Sequence, residues 1–257
     1  MLQDIRFALR VLARNPGMTA LAVVTLALGI GACTAICSVV DAVLLRPLPF
    51  PDPDRLVWIW GVNPSRNLPI AFVAYATYGD WRAGARSFES VSAYSPSSAN
   101  LVAGDEAEAV DVLRVNASFL HMAGVQPIVG RDFLPEEDQP GAPKTALLDY
   151  GLWQRRFGGD RAIGGKAMLL DGVSYTIVGV LPAEFRFGNR AADVYTPIAR
   201  STARRPSEGL GFTCGAWARL KPGVTIERAQ AEMDALAPAA YGNAPGWGFK
   251  VWRVRDF

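Results

Sequence analysis

The chain has 257 residues, half of them hydrophobic and 19% charged, with a formal net charge of +2. That length holds one or two domains, and the composition excludes a disordered chain. The first seventeen residues carry Arg6, Arg10 and Arg14 against Asp4, so the remainder has 23 basic and 23 acidic side chains and no electrostatic footprint for nucleic acid.

Met1–Arg14 reads as a short amphipathic helix. Leu2, Ile5, Leu9 and Leu12 fall on one face, with Arg6, Arg10 and Arg14 beside them at four-residue spacing. A basic helix of this kind lies in a membrane surface. Asn15-Pro16-Gly17 breaks it, and Pro16 suits the first turn of a following helix.

Met18–Val40 contains no charged residue. As a helix rising about 1.5 Å per residue it crosses a hydrocarbon core of about 30 Å. The arginines before it place the N-terminus in the cytoplasm by the positive-inside rule, and the rest of the chain outside. An uncleaved anchor is favoured over a secretory signal, because the apolar run extends well beyond the ~7–15 residues of a signal core. Cys33 and Cys37 lie one turn apart on this helix and read as packing residues, not a disulfide. Prolines at 47, 49, 51 and 53 predict a helix end near Leu45 and an extended connector.

Leu56–Trp60 is an apolar, aromatic strand, Tyr75–Phe88 a helix, and Ser90–Tyr94 a returning strand. Glu108–Val115 alternates as a strand, and Asn116-Ala117-Ser118 opens a helical turn through His121. Glu136, Glu137 and Asp138 are adjacent acids in a turn-rich stretch. They are read as a solvated loop, not as an acid–base pair. Thr145–Asp149 is a strand and Tyr150–Phe157 a helix burying Trp153, ended by Gly158. Asp171-Gly172 is a hairpin turn inside Met168–Val180, and Gly179 marks a bulge or a close contact.

Asp160–Ala167 (DRAIGGKA) superficially resembles a phosphate-binding loop. It lacks the first glycine, the hydroxyl residue after the lysine and a leading strand, so nucleotide binding is dismissed. Asp193–Pro197 ends a strand, Ser201–Gly211 is a surface loop, Trp217–Leu220 a strand and Lys221-Pro222-Gly223 a turn. Thr225–Leu236 is a helix capped by Thr225, with Ile226, Ala229, Met233 and Leu236 on one face, and Gly246–Val254 returns as a strand.

Cys214 has no partner for a disulfide framework, and one histidine with scattered cysteines cannot build an ordinary zinc site. No nucleophile and base are arranged to converge, so an enzyme is not expected and no cofactor is implied.

The segments LQDIRFALRVLARNPGMTA, TLALGIGACTAICSVVDAVLLRPLPF, PDPDRLVWIW, GRDFLPEED, YGLWQRRFGGDRAIGGKAMLLDGVSYTIVGVLPAEFRF and ARLKPGVTIERAQAEMDALA keep one order over most of the chain. As a set they resemble the MacB-like periplasmic core domain of ABC transporter permeases that end in an FtsX-like membrane domain, in the duplicated form found in acidobacteria. Cys33, Cys37 and Asp41 depart from the Asn, Phe and Asn usual in that family. The family continues into three further membrane helices, so the chain is expected to be the N-terminal part of a permease.

The expected fold class is therefore α+β. Residues 1–17 form a cytoplasmic amphipathic helix and 18–45 a transmembrane helix. Residues 46–257 form a two-lobed periplasmic domain, with a strand–helix–strand lobe (46–115 and 210–257) and a β-rich insert (116–209). The resemblance implies a non-catalytic permease component of an export or mechanotransmission system in the inner membrane. Its partners would be a separate cytoplasmic ABC ATPase and another permease copy or homologue, with Arg6, Arg10 and Arg14 near the ATPase. The alternative is a membrane-anchored periplasmic module that binds a partner on its own. No substrate class is legible.

Overall fold

The computed structural model describes residues 15–40, 50–103, 106–187, 192–198, 213–241 and 245–254. The amphipathic helix expected at Met1–Arg14, the helix end near Leu45 and the Ser201–Gly211 loop lie outside these residues. The chain divides into two units, Met1–Leu48 and Pro49–Phe257.

In the first unit one helix, α1, spans Pro16–Val40. At about 1.5 Å per residue it is about 37 Å long, more than a hydrocarbon core requires. Pro16–Ile36 is long and apolar enough to cross a membrane, and the helix buries none of that stretch against the protein. Thr25 and Thr34 donate their hydroxyls to the carbonyls of Leu21 and Ile30, both at 2.8 Å. Neither hydroxyl then needs water, as an apolar solvent demands.

The second unit is mixed α+β. Its strands are β1 (Leu56–Asn63), β2 (Leu68–Ala71), β3 (Val73–Ala74), β4 (Phe88–Ala103), β5 (Glu106–Val115) and β6 (Val129–Gly130). They continue with β7 (Thr145–Leu148), β8 (Ala167–Leu170), β9 (Val173–Val180), β10 (Val194–Pro197), β11 (Thr213–Leu220) and β12 (Gly248–Arg253). The helices are α2 (Tyr75–Gly84), α3 (Phe119–Ala123), α4 (Tyr150–Phe157) and α5 (Ile226–Tyr241). The sheet runs β12-β1-β11-β4-β5-β10-β7-β9-β6, with β2 on β1, β3 on β11, and β8 on β4 and β9. Pairings are antiparallel except β5–β10 and β7–β9.

Leu56 through Gly61 are all buried, which explains why this strand reads as an unbroken apolar run instead of an alternation. Val57 and Ile59 pack in a core with Tyr78 and Trp81 of α2 and with Ala229 and Met233 of α5. Trp58 faces an aromatic layer containing Tyr94, Phe187 and Trp217. A second core gathers Leu152 and Trp153 of α4 with Ala146, Met168, Ile177 and Val194. β4 contributes to both cores: Val91 and Ala93 to the first and Leu101 to the second.

The Asp171-Gly172 turn has φ of 49° and 76°, the two positive values a type I′ hairpin requires. The β7–β9 register slips between Ala146 and Leu147, and Leu147 then pairs Gly179. The sequence predicts a bulge or a close contact at Gly179, and both are present: a Cβ there would also meet the Val129 and Arg131 carbonyls. Four readings need correction. The helix expected over Tyr75–Phe88 stops at Gly84, because Glu232 of α5 takes the Arg86 and Ser87 N–H groups at 2.6 and 2.8 Å and turns the chain into β4. The strand expected at Ser90–Tyr94 continues to Ala103, paired throughout with β5. The helix expected to end at Leu236 runs through Pro238 to Tyr241, and Ala237, Ala240 and Tyr241 are buried in the first core.

The fourth correction concerns Glu136–Asp138, which forms a short 3-10 helix, not a solvated loop. Glu137 is 6% exposed; it accepts the Leu134 N–H at 2.7 Å and pairs with Arg131 at 2.8 Å. Burial pushes the Glu137 carboxyl up, but Arg131 and the Leu134 N–H more than offset it and hold it below the usual range. Asp138 accepts the Ala117 N–H at 2.8 Å. In the dismissed glycine-lysine stretch, Asp160 accepts the Ala162 N–H and Lys166 pairs with Asp160 at 2.6 Å.

Candidate functional site

A membrane-anchored domain must be joined firmly to its anchor if motion is to pass between them. The last part of the connector, Phe50–Arg55, belongs to the second unit and is fastened to it at four points.

Phe50 is buried and meets the Trp217 ring edge-on, with centroids 5.5 Å apart. Pro51 lies against Gly124, the residue that ends α3 at φ 68°. A side chain at 124 would need a left-handed backbone and would collide with the Pro51 ring. Arg219 is the third point. It is 8% exposed on β11, and its Nη1 donates to Pro51 O at 2.6 Å and to Asp52 O at 3.4 Å. Its Nη2 donates to Met122 O of α3 at 3.0 Å. Arg55 is the fourth. Its Nε donates to Leu220 O at 2.8 Å, and its guanidinium pairs with Glu89 of β4 and with Asp52.

The fixed path explains why the connector is not extended here. Asp52 takes a left-handed φ of 45°, and Pro53–Arg55 closes a 3-10 turn in which Arg55 N–H donates to Asp52 O at 3.0 Å. Pro53 stands at the start of that turn, where an N–H would have no partner within it. Burial, and then the neighbouring Arg55 charge, lowers the Arg219 pKa, while Asp52 and Glu89 work in the opposite direction. A planar guanidinium carries five donors in a rigid fork and reaches carbonyls from two separate segments at once, where an ammonium offers three donors from a single nitrogen.

A buried hub lies behind α3. Asn116 Oδ1 accepts from Ser92 Oγ and from Ala93 N–H (3.0 Å), and its Nδ2 donates to Tyr78 OH at 3.1 Å and Ser118 Oγ at 2.6 Å. Tyr78 in turn donates to Val91 O at 3.2 Å. Every polar atom of the Asn116 side chain is satisfied, so the hub rigidifies the start of α3.

The residues singled out in the sequence do not form this site. Arg6, Arg10 and Arg14 lie outside the described residues. His121 sits on α3 but its ring is exposed. Cys214 is a buried free thiol, and burial pushes it up to about 12, which keeps it protonated and inert. Cys33 is free and exposed on α1. Among the described residues no group of three or more His, Cys, Asp or Glu side chains converges. Sequence reasoning missed Arg219 altogether. The one available signal was a charged residue between Ala218 and Leu220 in a strand with no solvated face.

The chain belongs to the family of MacB-like periplasmic core domains, whose pattern matches residues 19–236. It is thus a domain of the ABC-type permease family. Three solved structures share the fold. A domain of a candidate permease from Porphyromonas gingivalis aligns with a TM-score of 0.64 at 20% identity, over 79% of this chain and 92% of that one. The periplasmic region of MacB from Actinobacillus actinomycetemcomitans aligns at 0.61 and 15%, over 84% and 94%. The extracellular domain of the noncanonic ABC-type transporter YknZ from Gram-positive bacteria aligns at 0.57 and 16%, over 76% and 99%. No curated protein sequence matches the chain significantly.

Proposed function

We propose that the chain is a non-catalytic permease component of an ABC-type export or mechanotransmission system, in which a separate cytoplasmic ATPase drives the periplasmic domain. The observation that carries this reading is the Arg219–Arg55 clamp. A tethered binding module needs only a flexible leash. Here the connector is instead bonded to β11, β4 and α3, so displacement of residue 50 moves the sheet and α3 together. Family membership supplies the context of a permease.

In this reading α1 spans the inner membrane with Arg6, Arg10 and Arg14 on the cytoplasmic side next to the ATPase. A second permease copy or homologue completes a dimer. Residues 46–115 and 210–257 make one lobe and 116–209 the other; two cores favour a two-lobed plan, although Leu101, Val110 and Val112 pack in the second core and Ile198 in the first, across these boundaries.

The test is a pair of experiments on the full chain. A reporter fused at Phe257 should be active only when exported, and tagged chain from membranes should capture an ABC ATPase. Replacing Arg6, Arg10 and Arg14 with Glu should abolish that capture. Reporter activity confined to the cytoplasm would overturn the topology. Capture of an extracytoplasmic partner with no ATPase would favour the stand-alone module.

A further inference from the structure

α3 has a second surface besides the one held by the connector. A cleft of about 330 Å³ opens between α2, the start of α3 and the segment from Phe133 to Gln139. That volume falls at the lower end of the ~300–1,000 Å³ of small-molecule sites. Tyr75 and Phe133 are buried at 8% and 5% exposure and provide an apolar wall. Arg82 lies seven residues after Tyr75, two turns along the same face of α2, and also lines the cleft.

The polar groups around it divide unequally. Asp138, the acid that lines the cleft, accepts the Ala117 N–H; of the acids beside it, Glu137 is bonded to Arg131 and the Leu134 N–H, and Asp132 to the Phe133 N–H at 2.6 Å. Asn116 is wholly engaged in its hub. Ser118 Oγ accepts from Asn116, which leaves its own hydrogen available to a ligand. Arg82 has no ion pair or hydrogen bond among the described residues. The cleft therefore presents donors (the Arg82 guanidinium, the Ser118 hydroxyl and the His121 ring) beside an aromatic wall, with its lining carboxylate, Asp138, bonded to the Ala117 N–H.

We infer that this cleft is a binding site for a small organic acid, its carboxylate on Arg82 and Ser118 and its apolar body against Tyr75 and Phe133. The inference is independent of the transport reading, because a stand-alone domain could carry the same site. It also places the ligand on the helix whose far end meets Pro51 and Arg219, so occupancy bears on the seat of the connector.

The test uses the full chain in detergent micelles, titrated calorimetrically with benzoate, and with benzamide and inorganic phosphate as controls. Benzoate should bind. Benzamide, which keeps the ring and loses the charge, should bind at least about tenfold more weakly, as should inorganic phosphate, which keeps charge without a ring. Arg82→Gln should weaken benzoate by about tenfold or more, and Ser118→Ala by a few-fold. Arg82 is exposed, so its variant should fold, which tryptophan emission checks. Hydrogen exchange should slow over residues 117–123 and 133–139 when benzoate is present. No benzoate binding, equal binding of benzoate and benzamide, or benzoate binding unchanged by Arg82→Gln would each overturn the proposal.

Discussion

Replacing Arg219 with Met keeps the apolar length of the side chain and removes every donor. The lost bonds are those to Pro51 O and Met122 O at 2.6 and 3.0 Å, and a longer one to Asp52 O. Each charge-assisted bond contributes about 1.5–3 kcal/mol, and the carbonyls left behind are partly shut off from water. Relief of the guanidinium's own burial, which already lowers its pKa, offsets part of this. The net expectation is a loss of about 2–4 kcal/mol, concentrated in the connector. The sensitive reporters are the Arg55 N–H, bonded to Asp52 O, and the Leu56 N–H, bonded to Pro53 O. Their exchange with solvent deuterium should speed up by about 30-fold or more, since each 1.4 kcal/mol is about tenfold. Amides of α4, in the other core, should be unaffected. Arg219→Lys should fall between the two, because an ammonium satisfies fewer of these carbonyls. If Arg55 and Leu56 exchange at the parental rate in a folded Arg219→Met protein, the clamp is not what fixes the connector.

Three further outcomes are expected. Gly124→Ala, at φ 68° and against Pro51, should cost about 1–3 kcal/mol in urea unfolding followed by tryptophan emission. Glu137→Gln should destabilise by about 1–2 kcal/mol near neutral pH, a value reduced because Arg131 is 44% exposed. The Glu137 pKa is depressed in the fold, so its contribution is present above the unfolded value and fades as pH falls through the folded one; the two proteins should converge in acid. Asp132 has the opposite sign. Burial pushes its carboxyl up to about 6, so the native state holds a proton that the unfolded chain releases near 4. Stability should therefore drop as pH rises from about 4 to 6, and Asp132→Asn should remove that slope and gain roughly 1 kcal/mol at pH 7.5, after discount for its partly exposed position.

The elements that sequence specified well are those with a local cause. Asp149 caps α4 by accepting the Gly151 N–H at 2.8 Å, and the Asp-Gly turn sets the β8–β9 register locally, with Asn100 of β4 bonded to Asp171 as a further support. Leu56–Trp60 was legible because its two buried faces require an unbroken apolar run. Residues 95–103 were not. SPSSANLVA is polar and contains Pro96, and it is a strand because each of its nine residues pairs with β5, with β8 against Leu101 and Val102 on the other side. The same holds for the extension of α5 past Leu236, where burial of Ala240 and Tyr241 outweighs the proline within the helix. Of the site, the connector prolines stood out, but Phe50 and Arg219 did not. Its role depends on which carbonyls two distant segments bring to it, and no spacing along β11 carries that information.

The position of β1 in the sheet also has a consequence for how the protein is made. Apart from the short β2, its neighbours are β11 and β12, with Trp58 opposite Trp217 on one side and Trp252 on the other. About 150 residues separate β1 from β11, so at about 5–20 residues per second the ribosome needs roughly 8–30 s to deliver the partner. During that interval the LVWIW strand has lost neither its ladder donors nor its apolar faces to a stable partner, and such an edge is prone to pair with another chain. The nascent domain should thus depend on a holding chaperone until residues 213–253 emerge. Removing β12 should convert folded, detergent-extractable product into aggregate instead of a smaller folded domain.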